Sequence, residues 1–185
     1  MKVLVVVDMQ NDFVYGALKN EMAEKIIPTV KLKIAQAYVE DKQVFFTRDT
    51  HGDLYMQSEE GKNLPVPHCI LDTEGWEIVD ELKDLAIVNK HNVINKYTFG
   101  SVRLGEILKD IANTEQIEEI EVIGICTDIC VLSNVALIKA FLPNVPIYVD
   151  AACCAGVTVE SHDTAINAMK AIQVKIRNEG EEPWR

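Results

Sequence analysis

The chain has 185 residues, 48% of them hydrophobic and 25% charged, which is enough apolar content to bury one substantial core as a single domain spanning 1–185. A formal net charge of -11 argues against nucleic acid and anionic membrane as partners, since both require clustered Lys and Arg. No apolar stretch approaches the length needed to span a bilayer, and the run Val3–Val7 is too short for the central region of a signal peptide. The five cysteines (69, 126, 130, 153 and 154) are odd in number and lie mostly in or beside expected strands and helices, which suits a reducing cytoplasm better than a disulfide framework.

In chain order, the first expected strand is 2–7, a β-branched run that ends on Asp8 and is followed by Gln10, Asn11, Asp12 and Phe13. A carboxylate at that position is either a turn-forming cap or a working group. Helical periodicity over 24–41 leads to a strand at 43–47, after which come Asp49 and His51. The stretch 50–75 is long, irregular and rich in Gly, Pro and polar residues, and a loop of that length inside a compact domain is usually functional or disordered. It carries Glu60 and His68. Together with Asp49 and His51 these form a His and carboxylate set suited to zinc, iron or manganese, although loop spacing alone leaves their proximity open.

An apolar segment at 86–94, expected as one or two strand pieces, delivers Lys96, either an ordinary solvated lysine or a cation for a site. A helix over 101–112 follows, then a strand at 119–125 that reads as buried on both faces. Gly124-Ile125-Cys126-Thr127-Asp128-Ile129-Cys130-Val131 passes from that strand into a helix over 128–141, with Thr127 or Asp128 available as N-cap. Cys126 and Cys130 are either small core residues or, for Cys130 near the positive end of a helix dipole, a thiolate position. A strand at 146–149, a helix over 159–176 capped by Thr158, and a polar terminus from Asn178 to which no role is assigned complete the chain.

Strand and helix alternate throughout, the pattern of a parallel sheet covered by helices on both faces, with function collected at the carboxyl ends of the strands. Asp8, Asp49, His51, Lys96 and Cys130 all fall at that edge. A lysine there favours a thiolate, and an aspartate can accept the thiol proton and return it to a leaving amine. Neither His91 nor His162 carries a neighbouring signature for activating a nucleophile.

These motifs are Val7-Asp8-Met9-Gln10-Asn11-Asp12-Phe13, Thr47 to His51, Glu60-Gly61-Lys62, Pro67-His68-Cys69, Lys96, Gly124 to Val131, and Asp150 to Val157 followed by Glu160-Ser161-His162. Taken in order, they resemble the isochorismatase-like cysteine hydrolases, and within these the nicotinamidase/pyrazinamidase branch. The resemblance runs from residue 2 to about 172. It implies a three-layer α/β/α sandwich with a six-stranded parallel sheet, one strand more than the periodicity yields. It also implies a triad of Asp8, Lys96 and Cys130, a cis peptide at Ile125-Cys126, and an oxyanion hole from the N–H groups of Cys126 and Cys130. Asp49, His51, Glu60 and His68 are implied as ligands of a divalent metal, Zn2+ first and Fe2+ or Mn2+ as alternatives, with Phe13, Gln10 and Tyr97 around the substrate.

The implied activity is hydrolysis of nicotinamide to nicotinate and ammonia through a thioester on Cys130. The small amide would be the partner, and self-association is left open. Two other readings are a family hydrolase acting on a carbamoyl, ureido or isochorismate-like substrate, and a catalytically silent scaffold. One departure from the branch is the shortened segment Lys96-Tyr97-Thr98-Phe99 after the lysine.

Overall fold

The computed structural model describes residues 1–86 and 91–185. Six parallel strands form one sheet in the order β3-β2-β1-β4-β5-β6, with β1 at Lys2–Val7, β2 at Gln43–Asp49, β3 at Val93–Lys96, β4 at Glu119–Ile125, β5 at Ile147–Ala155 and β6 at Lys175–Arg177. The helices are α1 (Asn11–Val14), α2 (Glu21–Val39), α3 (Glu59–Asn63), α4 (Asp80–Ala86), α5 (Val102–Ala112), α6 (Leu132–Phe141) and α7 (Val159–Ala171). This is the expected α/β/α sandwich.

β1 explains the layering. Val3, Val5 and Val7 face a core built with α5, α6 and α7, through Leu104, Leu108, Val135, Ile138, Ile166 and Met169. Leu4 and Val6 face the opposite core, built with α2 and α4 through Ile26, Val30, Ile34 and Leu82. Successive side chains of a strand point to opposite faces, so an uninterrupted apolar run is what a strand covered on both sides requires. Burial of each such side chain is worth about 1.5–3 kcal/mol.

The chain builds β1, β2 and β3 outward on one side, then returns to place β4 against the free edge of β1. That reversal opens a crevice at the carboxyl ends of β1 and β4, where ligands bind in sheets of this type. Gly124 permits the close approach. Its φ is +116°, and a Cβ there would lie 2.2 Å from the carbonyl oxygen of Val7.

Several boundaries differ from expectation. β5 runs on to Ala155 although Ala151-Ala152-Cys153-Cys154-Ala155 holds no β-branched residue, because burial in the sheet overrides weak strand propensity. α7 ends at Ala171, and Lys175–Arg177, overlapping the end of the segment expected as helix, forms the sixth strand by pairing Tyr148↔Lys175 through Asp150↔Arg177. An edge strand of three residues leaves no periodic signature to read. α2 begins earlier than expected, at Glu21, where the Asn20 side chain accepts from the N–H groups of Met22 and Ala23. Of the strand expected over 86–94, only Val93 and Ile94 lie in β3, and 87–90 fall outside the described residues.

The polar terminus, to which no role was assigned, packs onto the domain: Glu182 and Trp184 are buried, and Trp184 Nε1 donates to the carbonyl of Cys154 at 2.9 Å. Among the described residues no helix is long and apolar enough to cross a membrane.

Ile34 is fully buried on α2 against the sheet. Ile34→Ala leaves a cavity there and is expected to lower the unfolding free energy by about 2–5 kcal/mol, measured as a shift in denaturant midpoint at constant slope.

Candidate active site

Asp8 terminates β1 in the left-handed region, with φ of +50°, a conformation that Asp tolerates better than most residues. Thr47 Oγ1 on β2 donates to Asp8 Oδ1 at 2.6 Å, and Lys96 Nζ, at the end of β3, lies 2.7 Å from Asp8 Oδ2. The same ammonium meets Asp49 Oδ1 at 3.1 Å, the carbonyl of Thr98 at 3.2 Å and Cys130 Sγ at 3.5 Å. Asp8, Lys96 and Cys130 are all buried. Parallel register does the placing: Asp49 pairs with Lys96 across β2 and β3, while Val7 pairs with Gly124 across β1 and β4.

Burial pushes the Asp8 carboxyl up and outweighs the attraction of Lys96; the nearby Asp49 charge pushes in the same direction. Burial likewise raises the Cys130 thiol, with Lys96 opposing. Burial disfavours the Lys96 ammonium, but Asp8, Cys130 and Asp49 prevail and keep it charged. A raised carboxyl is a stronger base, and its Oδ2 makes no well-formed hydrogen bond despite the nearby lysine. It is therefore placed to take a thiol proton while the ammonium stabilises the resulting thiolate.

Cys130 does not sit in an ordinary first helical turn. Thr127–Val131 is a single π-helical turn, with Val131 N donating to Cys126 O at 3.0 Å, and it runs directly into α6. Such turns recur at functional sites. Neither Thr127 nor Asp128 serves as the expected N-cap: Thr127 Oγ1 pairs with His162 Nδ1 at 2.8 Å, and Asp128 Oδ1 accepts from Val157 N at 3.0 Å. The Ile125-Cys126 peptide is cis, as the resemblance implied. Asn134 on α6 donates from Nδ2 to the carbonyl of Cys130 at 2.8 Å and accepts from Ser101 N at 2.9 Å.

The four residues expected as metal ligands come together. Asp49, His51, Glu60 and His68 offer one donor atom each, all within 4.8 Å of one another. His68 Nδ1 lies 2.8 Å from the carbonyl of Val66, which orients that nitrogen as a donor and leaves Nε2 to face Asp49 and Glu60. Burial raises the Glu60 carboxyl and the Asp49 charge raises it further. For Asp49, burial is outweighed by His51, His68 and Lys96, which hold it well below the usual carboxylate range. Two imidazoles and two carboxylates, crowded and partly buried, fit a zinc-like divalent cation.

The loop that supplies this quartet is pinned by a parallel bridge between His51 and Ile70, by Cys69 N donating to Asp12 Oδ2 at 2.8 Å, and by the edge of Tyr55 against both histidine rings.

A cavity of about 810 Å³ joins the two clusters, lined by Phe13, Asp49, Glu60, His68, Cys126 and Cys130 among others. Phe13, expected beside the substrate, is on that wall. Gln10 and Tyr97 are not on that wall. The Gln10 amide is fully buried and consumed by backbone, accepting from Asp49 N at 2.7 Å and donating to Asp49 O at 2.9 Å and Trp76 O at 2.8 Å, so it braces Asp49. Tyr97 is 69% exposed. Thr47 and Asn134 were missed by sequence reasoning. Thr47 had a signal, since it stands two residues before Asp49 on the same face of β2, whereas nothing local marks Asn134.

A family model, Isochorismatase domain, matches residues 2–178. The chain belongs to the isochorismatase family. Among relatives of this family member, the nicotinamidase of Schizosaccharomyces pombe is 24% identical over 95% of this chain and 92% of its own length. The structure of nicotinamidase PncA from Bacillus subtilis superposes with a TM-score of 0.81 at 28% identity, covering 95% of this chain and 98% of the other. Pyrazinamidase of Pyrococcus horikoshii in complex with zinc gives a TM-score of 0.76 at 26% identity, covering 95% and 97%.

Zinc titration is expected to raise the melting temperature, because a ligand bound only to the folded state stabilises it by about 2.7 kcal/mol at one hundred times Kd. The double variant His51→Ala/His68→Ala should abolish that shift in a thermal-melt assay, and an unchanged shift would place the ion elsewhere.

Proposed function

We propose that this isochorismatase-family hydrolase is a metal-containing cysteine amidohydrolase, converting nicotinamide to nicotinate and ammonia, with residues 1–185 acting as one domain in the cytoplasm. The observation that carries the reading is the shared cavity, whose wall holds Cys130 together with Asp49, Glu60 and His68, three of the four clustered candidate metal donors. The nicotinamidase and pyrazinamidase relatives support it.

In the proposed reaction Asp8 takes the thiol proton of Cys130, and Lys96 balances the charge of the thiolate. The sulfur attacks the carboxamide carbon, and the electron pair moved onto the carbonyl oxygen is held by the N–H groups of Cys126 and Cys130. Asp8 then returns its proton to the nitrogen as the C–N bond breaks, releasing ammonia and leaving a thioester. Asp8 removes a proton from water, which attacks the thioester; nicotinate departs and the thiol is reprotonated. When bound, a divalent cation, Zn2+ first and Fe2+ or Mn2+ otherwise, supplies a Lewis-acidic anchor for the pyridine nitrogen. Phe13 packs against the ring, and burial excludes bulk water from the thiolate.

Among the described residues no arginine lines the cavity, so its wall lacks the bidentate partner that would suit an isochorismate-like dianion. A neutral amide needs no such partner.

Cys130→Ala is expected to abolish ammonia release from nicotinamide, and Asp8→Asn to reduce kcat by about 100-fold or more, both followed by a coupled ammonia assay. Undiminished turnover in Cys130→Ala would remove the covalent route. Chelation is expected to raise KM for nicotinamide while circular dichroism shows the fold intact. A silent scaffold would show Cys130 alkylated no faster than an ordinary thiol.

A further inference from the structure

The polar terminus reaches the nucleophile's turn through a buried chain of side chains that the proposed reaction does not use. Thr127 is fully buried and stands next to Cys126. Its carbonyl accepts from Leu132 N across the π turn, so Cys130 lies inside the loop that Thr127 closes. Its hydroxyl meets Nδ1 of His162, which is itself fully buried in the first turn of α7.

Beyond His162, Nε2 faces Glu182 Oε1 at 3.4 Å, a contact too long for a strong hydrogen bond but the right sign for an N–H edge turned to a carboxylate. Glu182 is buried, and Arg185 holds it through a paired contact from Nε while also reaching Asp163. Trp184 lies edge-on to the imidazole, ring centroids 4.9 Å apart, and is anchored by its indole N–H on Cys154. On the other side Gly156 is the only residue type that fits, since a Cβ there would fall 2.8 Å from His162 Cβ. The imidazole is therefore clamped from three directions.

Burial holds His162 below its ordinary range and so keeps it neutral, while Arg185 overcomes burial to hold Glu182 in the carboxylate form. A carboxylate accepts only, which places the imidazole proton on Nε2 and leaves the Nδ1 lone pair to accept the Thr127 hydroxyl. If the terminus merely sealed the core, apolar residues would do so without the desolvation cost of a buried carboxylate. A polar chain that ends on the residue beside Cys126 does something an apolar plug cannot: it fixes the rotamer of Thr127.

We propose that Glu182, His162 and Thr127 form a positioning relay by which the C-terminal segment holds the Cys126–Cys130 turn in its catalytic geometry. The relay rests on Cys130 being the nucleophile of the proposed hydrolase. Its members touch neither substrate nor reacting atoms.

The test compares the full-length protein with Thr127→Val, His162→Gln, His162→Asn, Glu182→Gln and Arg185→Ala. Two readouts are used: kcat and KM for nicotinamide, and the ratio of iodoacetamide alkylation at Cys130 to that at Cys126, mapped by mass spectrometry. Thr127→Val and His162→Gln are expected to lower kcat about tenfold or more with KM within threefold, and to reduce the alkylation ratio at least threefold. His162→Asn, whose amide oxygen sits where Nδ1 was, should recover kcat to within about threefold of wild type. Glu182→Gln should fall between.

Lys170→Ala, which removes only the exposed pair with Glu179 beside the tail, is the control and should change neither readout. Should the buried variants fail to fold, Arg185→Ala carries the test, because it releases Glu182 from a partly exposed position and should lower kcat at least threefold. Folded variants with unchanged kcat and unchanged alkylation ratio, or His162→Asn no better than His162→Gln, would overturn the relay. A wild-type protein that releases no ammonia from nicotinamide, with the alkylation ratio still falling in the variants, would overturn the substrate and leave the relay standing.

Discussion

One buried ammonium organises this site. Lys96 Nζ lies within 3.5 Å of Asp8, Asp49, Cys130 and the carbonyl of Thr98, so one cation opposes the cost of burying charge on each of its three ionisable partners. An isolated ion loses several kcal/mol on leaving water, and the loss is recovered only when geometry and hydrogen bonding are both good. Here one cation serves two carboxylates and a thiol, so their charges are mutually dependent. Asp49 is the hinge of that dependence: Oδ1 faces the lysine, Oδ2 faces His51, and one side chain couples the thiol cluster to the quartet of candidate metal donors.

The sheet makes this convergence cheap. Strand reversal between β1 and β4 brings two carboxyl ends together, and Gly124 lets the β4 backbone approach Val7 closely enough for Asp8 and the Cys126–Cys130 turn to share a crevice. Around that crevice, buried polar side chains act as braces: Gln10 bonds the backbone of Asp49, Asn134 the carbonyl of Cys130, and Thr47 the side-chain carboxylate of Asp8. These residues bring rigidity to Asp8, Asp49 and Cys130, the kind of support by which a protein holds a polar site preorganised.

Much of this was legible in the chain. Alternation of strand and helix, unbroken apolar runs in β1 and β4, and polar residues at each strand end located the sheet edge, and the spacing of Asp49, His51, Glu60 and His68 suggested a ligand set. Legibility failed where local signal and tertiary demand part. Ala151–Ala155 is a strand only because both of its faces are covered. Lys175–Arg177 is a strand only because β5 offers an edge. The resemblance implied Gln10 and Tyr97 around the substrate, yet the Gln10 amide is consumed by backbone and Tyr97 is largely exposed.

The sequence by itself determined the fold class, the residue types at the strand ends and the pairing of a thiol with an acid and a base, because periodicity and residue chemistry are local properties. Only the tertiary structure decided which of those groups meet. Register sets Asp49 opposite Lys96, the π turn sets Cys130 beside that lysine, and the buried Trp184 and Glu182 bring the end of the chain against His162. Distances across a sheet or between chain ends depend on how many separate elements pack at once, and no single stretch of sequence carries that information.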